Sequence, residues 1–201
     1  MSQSDRPHDD DEPESGRRNF EFSPVSARVP EGVARGAFAS NVMVVNGPSE
    51  FVLDFVLRLS HPYQLAARVI VPKPVLPQFI AALEENLNIY QQNFGSLPQP
   101  HQQQFGEPMP DSVEEIYEQL KATDDQLRGS YANAVLIGHS GPEYWFDFIA
   151  NMVPRSVVTA RVFMAAPQVP GLHDALVRMW KEFLEQHPPE PPAGDDDVID
   201  E

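Results

Sequence analysis

One short stretch that occurs twice constrains this chain more than any other feature. Arg35-Gly36-Ala37-Phe38-Ala39 returns as Arg128-Gly129-Ser130-Tyr131-Ala132, 93 residues further on. Held without a gap, that offset sets Val42 against Val135, Glu50-Phe51 against Glu143-Tyr144 and Asp54-Phe55 against Asp147-Phe148. It also sets Arg68-Val69 against Arg161-Val162, Pro74 against Pro167 and Ala82-Leu83 against Ala175-Leu176. Internal repeats decide architecture before any single element does, so the chain is expected to build two like units in tandem.

Each unit reads in the same order. Residues 40–45 and 134–137 are apolar or β-branched runs, followed by the turn clusters Asn46-Gly47-Pro48-Ser49 and Gly138-His139-Ser140-Gly141-Pro142. A second run, 50–59 or 143–153, closes a hairpin, and a third strand is expected over 65–71 or 157–164. Pro74, Pro77, Pro167 and Pro170 then open a helix, where a missing N–H costs nothing in the first turn. The first helix sets Leu76, Phe79, Ile80, Leu83, Leu87, Tyr90 and Phe94 at spacings of three and four and stops at Gly95; the second sets Val169, Leu172, Leu176, Trp180 and Phe183.

The expected fold class is α+β: two βββα repeats, antiparallel sheets each covered by a helix, with an extra linker helix. The boundaries are 1–30 for an acidic, proline-rich tail, 31–95 for the first repeat and 96–127 for the linker. The second repeat takes 128–187 and an acidic tail 188–201. The linker opens Gln- and Pro-rich over 96–110, and its helix, 111–127, starts at Asp111-Ser112 and spaces Val113, Ile116, Tyr117 and Leu120 for one face. Both tails have the composition of chain that cannot offset its ordering entropy, so disorder is expected there.

The chain carries 30 acidic against 14 basic side chains, a net charge of −16. Residues 1–30 hold seven acids, residues 188–201 six acids and no base, and residues 107–128 seven acids against two bases. The repeats themselves are thus near neutral. Nucleic-acid binders draw most of their affinity from a basic stripe, and none is visible, so no nucleic-acid partner is expected. Cysteine is absent, which removes disulfides and thiolate chemistry. No run approaches the roughly 20 apolar residues of a membrane span, and the acidic N-terminus is unlike a signal peptide. A cytoplasmic protein without a membrane partner is the expectation.

Strand alternation gives each second strand two faces. Phe51, Leu53, Phe55 and Leu57, repeated as Tyr144, Phe146, Phe148 and Ala150, form the face expected under the helix. The opposite face carries Glu50, Val52, Asp54 and Val56, or Glu143, Trp145, Asp147 and Ile149. Its third-strand neighbours are Arg68 with Ile70, and Arg161 with Phe163. Asp54–Arg68 and Asp147–Arg161 are therefore expected as cross-strand ion pairs among apolar residues. Trp145, Ile149 and Phe163 make this second face too apolar to leave wet. It is expected to pack on its counterpart or on another chain, through self-association.

Val135-Leu136-Ile137-Gly138-His139-Ser140-Gly141-Pro142 resembles the nucleophile elbow of α/β-hydrolases. The elbow, however, needs a glycine where Pro142 stands, so that a helix can pack behind the serine. The matching residue in the first unit is Gly47, in a hairpin turn. His139 is a loop residue without a second histidine at ligand spacing, and His173 takes the place of Ile80 on the helix stripe. No catalytic, cofactor-binding or metal site is expected, and Ser140 hydrolase chemistry is the weakest alternative.

The stretches Tyr131-Ala132-Asn133, Glu143-Tyr144-Trp145-Phe146-Asp147-Phe148 and Glu50-Phe51-Val52-Leu53-Asp54-Phe55, with a helix ending at Phe94-Gly95, carry a family resemblance. They resemble the small prokaryotic proteins grouped as domain of unknown function 3467. Members are typically a single unit with Y-x-N, then S-x-x-E-F-x-L-D-F, R-V or R-I, S-P, and a helix closing on Y-E-x-x-F-G. The first unit has Pro72-Lys73-Pro74 where S-P is usual, and the second ends at His187-Pro188 in place of F-G. The resemblance implies a fold and no activity.

The function expected is a non-catalytic protein-interaction or assembly module, with the two units forming a pseudo-dimer within one chain. A holdase chaperone in the style of the secretion chaperone SecB is the alternative.

Overall fold

The computed structural model describes residues 27–59, 61–98, 113–152 and 154–188. The expectations for the rest of both tails, for 99–110 and for the Asp111-Ser112 helix start lie outside the described residues. The protein is a mixed α+β fold with two sheets, and among the described residues there are nine strands and five α-helices.

In chain order these are α1 (Glu31–Ala34), β1 (Ala37–Ala39), β2 (Asn41–Asn46), β3 (Glu50–Leu57), β4 (Tyr63–Pro72) and α2 (Leu76–Phe94). After them come α3 (Val113–Glu118), β5 (Leu120–Lys121), α4 (Asp124–Arg128), β6 (Ser130–Tyr131), β7 (Ala134–His139), β8 (Glu143–Ala150), β9 (Val157–Ala165) and α5 (Val169–Gln186). Antiparallel ladders join β2–β3–β4 and β7–β8–β9, as the alternating patterns require. Each middle strand carries an irregularity at the same place, between Phe55 and Val56 and between Phe148 and Ile149. The chain re-pairs there: Asn133 holds Asn151 through both amide and carbonyl, while Ser40 Oγ accepts the Arg58 N–H in the matching position.

The short strands go elsewhere. β1, from the first half, pairs in parallel with β9 of the second, and β6, from the second half, pairs in parallel with β4 of the first. The twice-occurring stretch at Arg35 and Arg128 is thus the crossing point of a reciprocal strand exchange. The sheets run β1-β9-β8-β7 and β2-β3-β4-β5, with β6 also on β4.

The helices cross as well. Phe79 of α2 sets its ring edge-on to Phe146 and Phe148 of β8, and Tyr90 stacks on Tyr144. Phe51 of β3 receives Trp180 and Phe183 of α5. The expectation that each sheet lies under its own helix is corrected: each lies under the helix of the other half. Helical spacing sets an apolar stripe without naming the sheet that it meets, and the aromatic rings fit across the halves. The first faces of both sheets and both helices share one buried core, with Phe55 against Phe148. The second faces therefore do not pack on each other.

One further correction concerns the linker helix. Over 113–127 the chain makes not one helix but two short ones on either side of β5, whose Leu120 and Lys121 pair with Tyr63 and Gln64. Thr123 begins the second helix with a capping box: its Oγ1 accepts the Gln126 N–H and its own N–H donates to Gln126 Oε1. That cap and the free backbone edge of β4 outweigh helical continuity.

Candidate functional site

The residues singled out from the sequence lie on the outward faces of the two sheets. Asp54 and Arg68 are directly opposed on β3 and β4, Asp147 and Arg161 on β8 and β9. Arg68 donates from Nε and Nη2 to the two oxygens of Asp54 at 2.7 and 2.8 Å; Arg161 does the same to Asp147 at 2.6 and 2.7 Å. Both are two-point guanidinium–carboxylate grips, the strong form of the ion pair. The remaining nitrogen, Nη1, reaches a backbone carbonyl where the exchanged strand arrives: Leu127 for Arg68 at 3.0 Å and Ala34 for Arg161 at 3.4 Å. The hydrogen bonds to the carboxylates raise both arginine pKa values further above an already high range.

The first pair has a third member that sequence reasoning missed. Tyr117 of α3 donates its hydroxyl to Asp54 Oδ2 in a short hydrogen bond and accepts from Arg68 Nη2 at 3.0 Å. Burial, then the hydrogen bond to Asp54, pushes its hydroxyl pKa up to about 12. Asp54 is fully buried beneath this cluster. The apolar spacing of the linker marked Tyr117 as inward, but nothing in it named the carboxylate that its hydroxyl would meet.

Two glycines make the approach of the exchanged strands possible. Gly36 (φ +63°) lies against Phe163 and Arg161, and Gly129 (φ +71°) against Arg68 and Ile70; a Cβ would stand 2.5 Å from Phe163 Cε2 in one case and 2.8 Å from Arg68 Cγ in the other. Both need the left-handed backbone that glycine adopts freely. Where the two exchanges meet, a cleft of about 260 Å³ is lined by matching residues from each half, among them Gly36 and Gly129, Ala67 and Ala160, Arg68 and Arg161.

Beyond the ion pairs each outer face carries an apolar row fixed by strand register. On one sheet the row is Phe38, Phe163, Trp145 and Gly138; on the other it is Tyr131, Ile70, Val52 and Val45. Phe38 is 45% exposed, Trp145 and Phe163 are half-buried, and Trp145 lies so close over Gly138 that a Cβ there would be 2.1 Å from its ring. Ile149, also expected on this face, is buried.

The hydrolase-like residues are not brought together. Ser140 donates its hydroxyl to the Glu143 carbonyl within the β7–β8 turn, at 3.4 Å. His139 sits among the rings of Tyr90, Phe94 and Tyr144, Asp147 is held by Arg161, and His173 lies on α5 beside Asp174. Among the described residues no group of three or more His, Asp or Glu side chains could hold a metal ion.

Fold and site together define a mixed α+β protein of two entwined sheets, each with an arginine-clamped aspartate on its outer face. Residues 3–99 match the family described as Protein of unknown function (DUF3467). No curated protein and no solved structure matches the chain. No described helix is long and apolar enough to cross a membrane.

Proposed function

We propose that this protein is a non-catalytic interaction or assembly module, a pseudo-dimer within one chain whose outward apolar rows bind protein. The observation that carries the reading is the reciprocal exchange: β1 and α2 of one half complete the sheet and core of the other, and β6 and α5 return the exchange. Such an arrangement is what a homodimer of single units becomes when its two subunits are joined. The Asp–Arg clamps support a structural role, since each guanidinium fork is spent on its own carboxylate and a neighbouring carbonyl.

The test is a split chain. Residues 1–100 and 101–201, produced together, should reassemble one to one, and either alone should be unfolded or self-paired. A single half that folds as a cooperative monomer would overturn the pseudo-dimer. The surface is tested separately by light scattering on the intact chain and on Trp145→Ser. Loss of self-association or of a protein partner in the variant supports the row as the binding surface, and unchanged behaviour removes it. A holdase reading draws on the same exposed Phe38 and Tyr131; capture of a reduced, unfolded model protein by the intact chain would favour it.

A further inference from the structure

Three arginines among the described residues are half-buried: Arg58, Arg68 and Arg161. Arg68 and Arg161 each grip an aspartate through Nε and Nη2. Arg58, one residue past the end of β3, meets no carboxylate among the described residues, and its Nε is buried without a hydrogen-bond acceptor. Its guanidinium lies over the ring of Tyr63, with Cζ 5.1 Å from the ring centre. The face of a ring attracts the cation but leaves the in-plane N–H groups of the fork to find other partners. A buried donor left open in this way is the exception in a folded protein.

The matching corner of the second half is closed. There Asn151 stands at the place of Arg58, Ser156 at that of Tyr63 and Asn133 at that of Ser40. The backbone N–H is held alike in both halves, by Ser40 Oγ at 2.9 Å and by Asn133 Oδ1 at 2.7 Å. The side chains part company. Asn151 Oδ1 accepts a short hydrogen bond from the Ser156 hydroxyl, whereas the buried Nε–H of Arg58 has no acceptor. His61 packs on the same Tyr63 ring at 5.1 Å, and its Nε2 lies 3.3 Å from Gln119 Oε1. The corner is thus framed by the β3–β4 loop and the linker in the first half only.

We propose that Arg58, stacked on Tyr63, binds a carboxylate group supplied from outside the fold. Arg68 and Arg161 show what a half-buried arginine holds in this protein. The edge they present to aspartate, Nε with Nη2, includes the nitrogen that is orphaned in Arg58. The planar fork suits two-point capture of a carboxylate and is less strongly hydrated than an ammonium. The net charge of −16 repels anions from the surface as a whole, which favours a singly charged carboxylate over a phosphate dianion. The corner lies at the far end of β3 from Val52, so it does not rest on the reading of the apolar rows as a binding surface.

The test uses the full-length protein, with the Tyr63 ring signals followed by NMR as sodium acetate replaces sodium chloride at constant ionic strength. A saturable shift is expected. Arg58→Gln should abolish it, and Arg35→Gln, at an exposed arginine, should leave it unchanged. Arg58→Lys keeps the charge but loses the fork and should weaken binding about tenfold, the worth of one hydrogen bond to a charged group. A blocked Ala-Glu-Ala peptide and its Ala-Gln-Ala twin separate the sources of the carboxylate. A glutamate peptide that binds tighter than acetate, with the glutamine twin silent, assigns the site to a protein side chain; one that binds no tighter assigns it to small carboxylates. No saturable shift with either carboxylate would overturn the proposal, and so would an undiminished shift in Arg58→Gln.

Discussion

Phe55 and Phe148 touch with ring centroids 5.5 Å apart, and they are each other's counterparts at the 93-residue offset. The contact joins β3 to β8 inside the shared core. Phe55→Ala and Phe148→Ala should each cost about 3–5 kcal/mol, the range for a buried phenylalanine. Because the rings share one contact, the double variant should lose less than the sum. Urea unfolding of the three variants measures both effects, and strictly additive losses would mean that the two sheets do not depend on each other there.

The two clamps should not be equally costly to break. Asp54→Ala leaves a half-buried guanidinium and the Tyr117 hydroxyl without their acceptor, which predicts a loss of about 3–5 kcal/mol. Asp147→Ala strands only Arg161, which is slightly more exposed than Arg68. Its loss should be smaller by about 1 kcal/mol, the worth of one hydrogen bond. Denaturation midpoints of the two variants side by side check the order.

Gly36→Ala and Gly129→Ala should both destabilise. Left-handed backbone costs a non-glycine residue about 1–2 kcal/mol, and the new methyl also meets Phe163 or Arg68 at under 3 Å. Gly171→Ala is the contrast: it lies in α5 with nothing within 4 Å of the added carbon. Alanine there should stabilise by up to about 1 kcal/mol. Thermal melts of the three decide the matter.

Tyr117 gives stability a signature at high pH. Its hydroxyl is raised from 10 to about 12 in the folded protein, so folding favours the protonated form. That contribution is complete below pH 10 and is lost as pH rises from 10 to 12. Tyr144, raised by its burial, adds to the loss from pH 10 upward. Tyr117→Phe should flatten the fall in the urea midpoint between pH 10 and 12 without abolishing it, whereas an unchanged slope would place the Tyr117 hydroxyl in contact with water.

Alternation alone placed Phe51, Leu53 and Phe55 on one side of β3 and Asp54 on the other, because side chains on a strand point to opposite faces in turn. The same rule paired Asp54 with Arg68 and Asp147 with Arg161 once the third strands were set. The stripes of α2 and α5 were equally legible at their spacing of three and four. β1 and β6 were not: three residues and two residues carry no period to read, and what makes them strands is the open edge of β9 or β4. Tyr117 was readable as apolar-facing but not as a partner of Asp54, since that contact joins positions 63 residues apart.

The amino-acid sequence by itself determined the local order of this protein: which runs are strands or helices, which face of each is apolar, and where aspartate meets arginine. These follow from periodicities within a few residues. Only the tertiary structure decided that the halves trade strands and helices, that α2 lies on β8 and α5 on β3, and that the linker breaks at Thr123. In each case the local pattern suits more than one partner, and the choice falls to long-range fit: ring against ring in the core, glycine against arginine at the crossings, and a backbone edge that must find a partner.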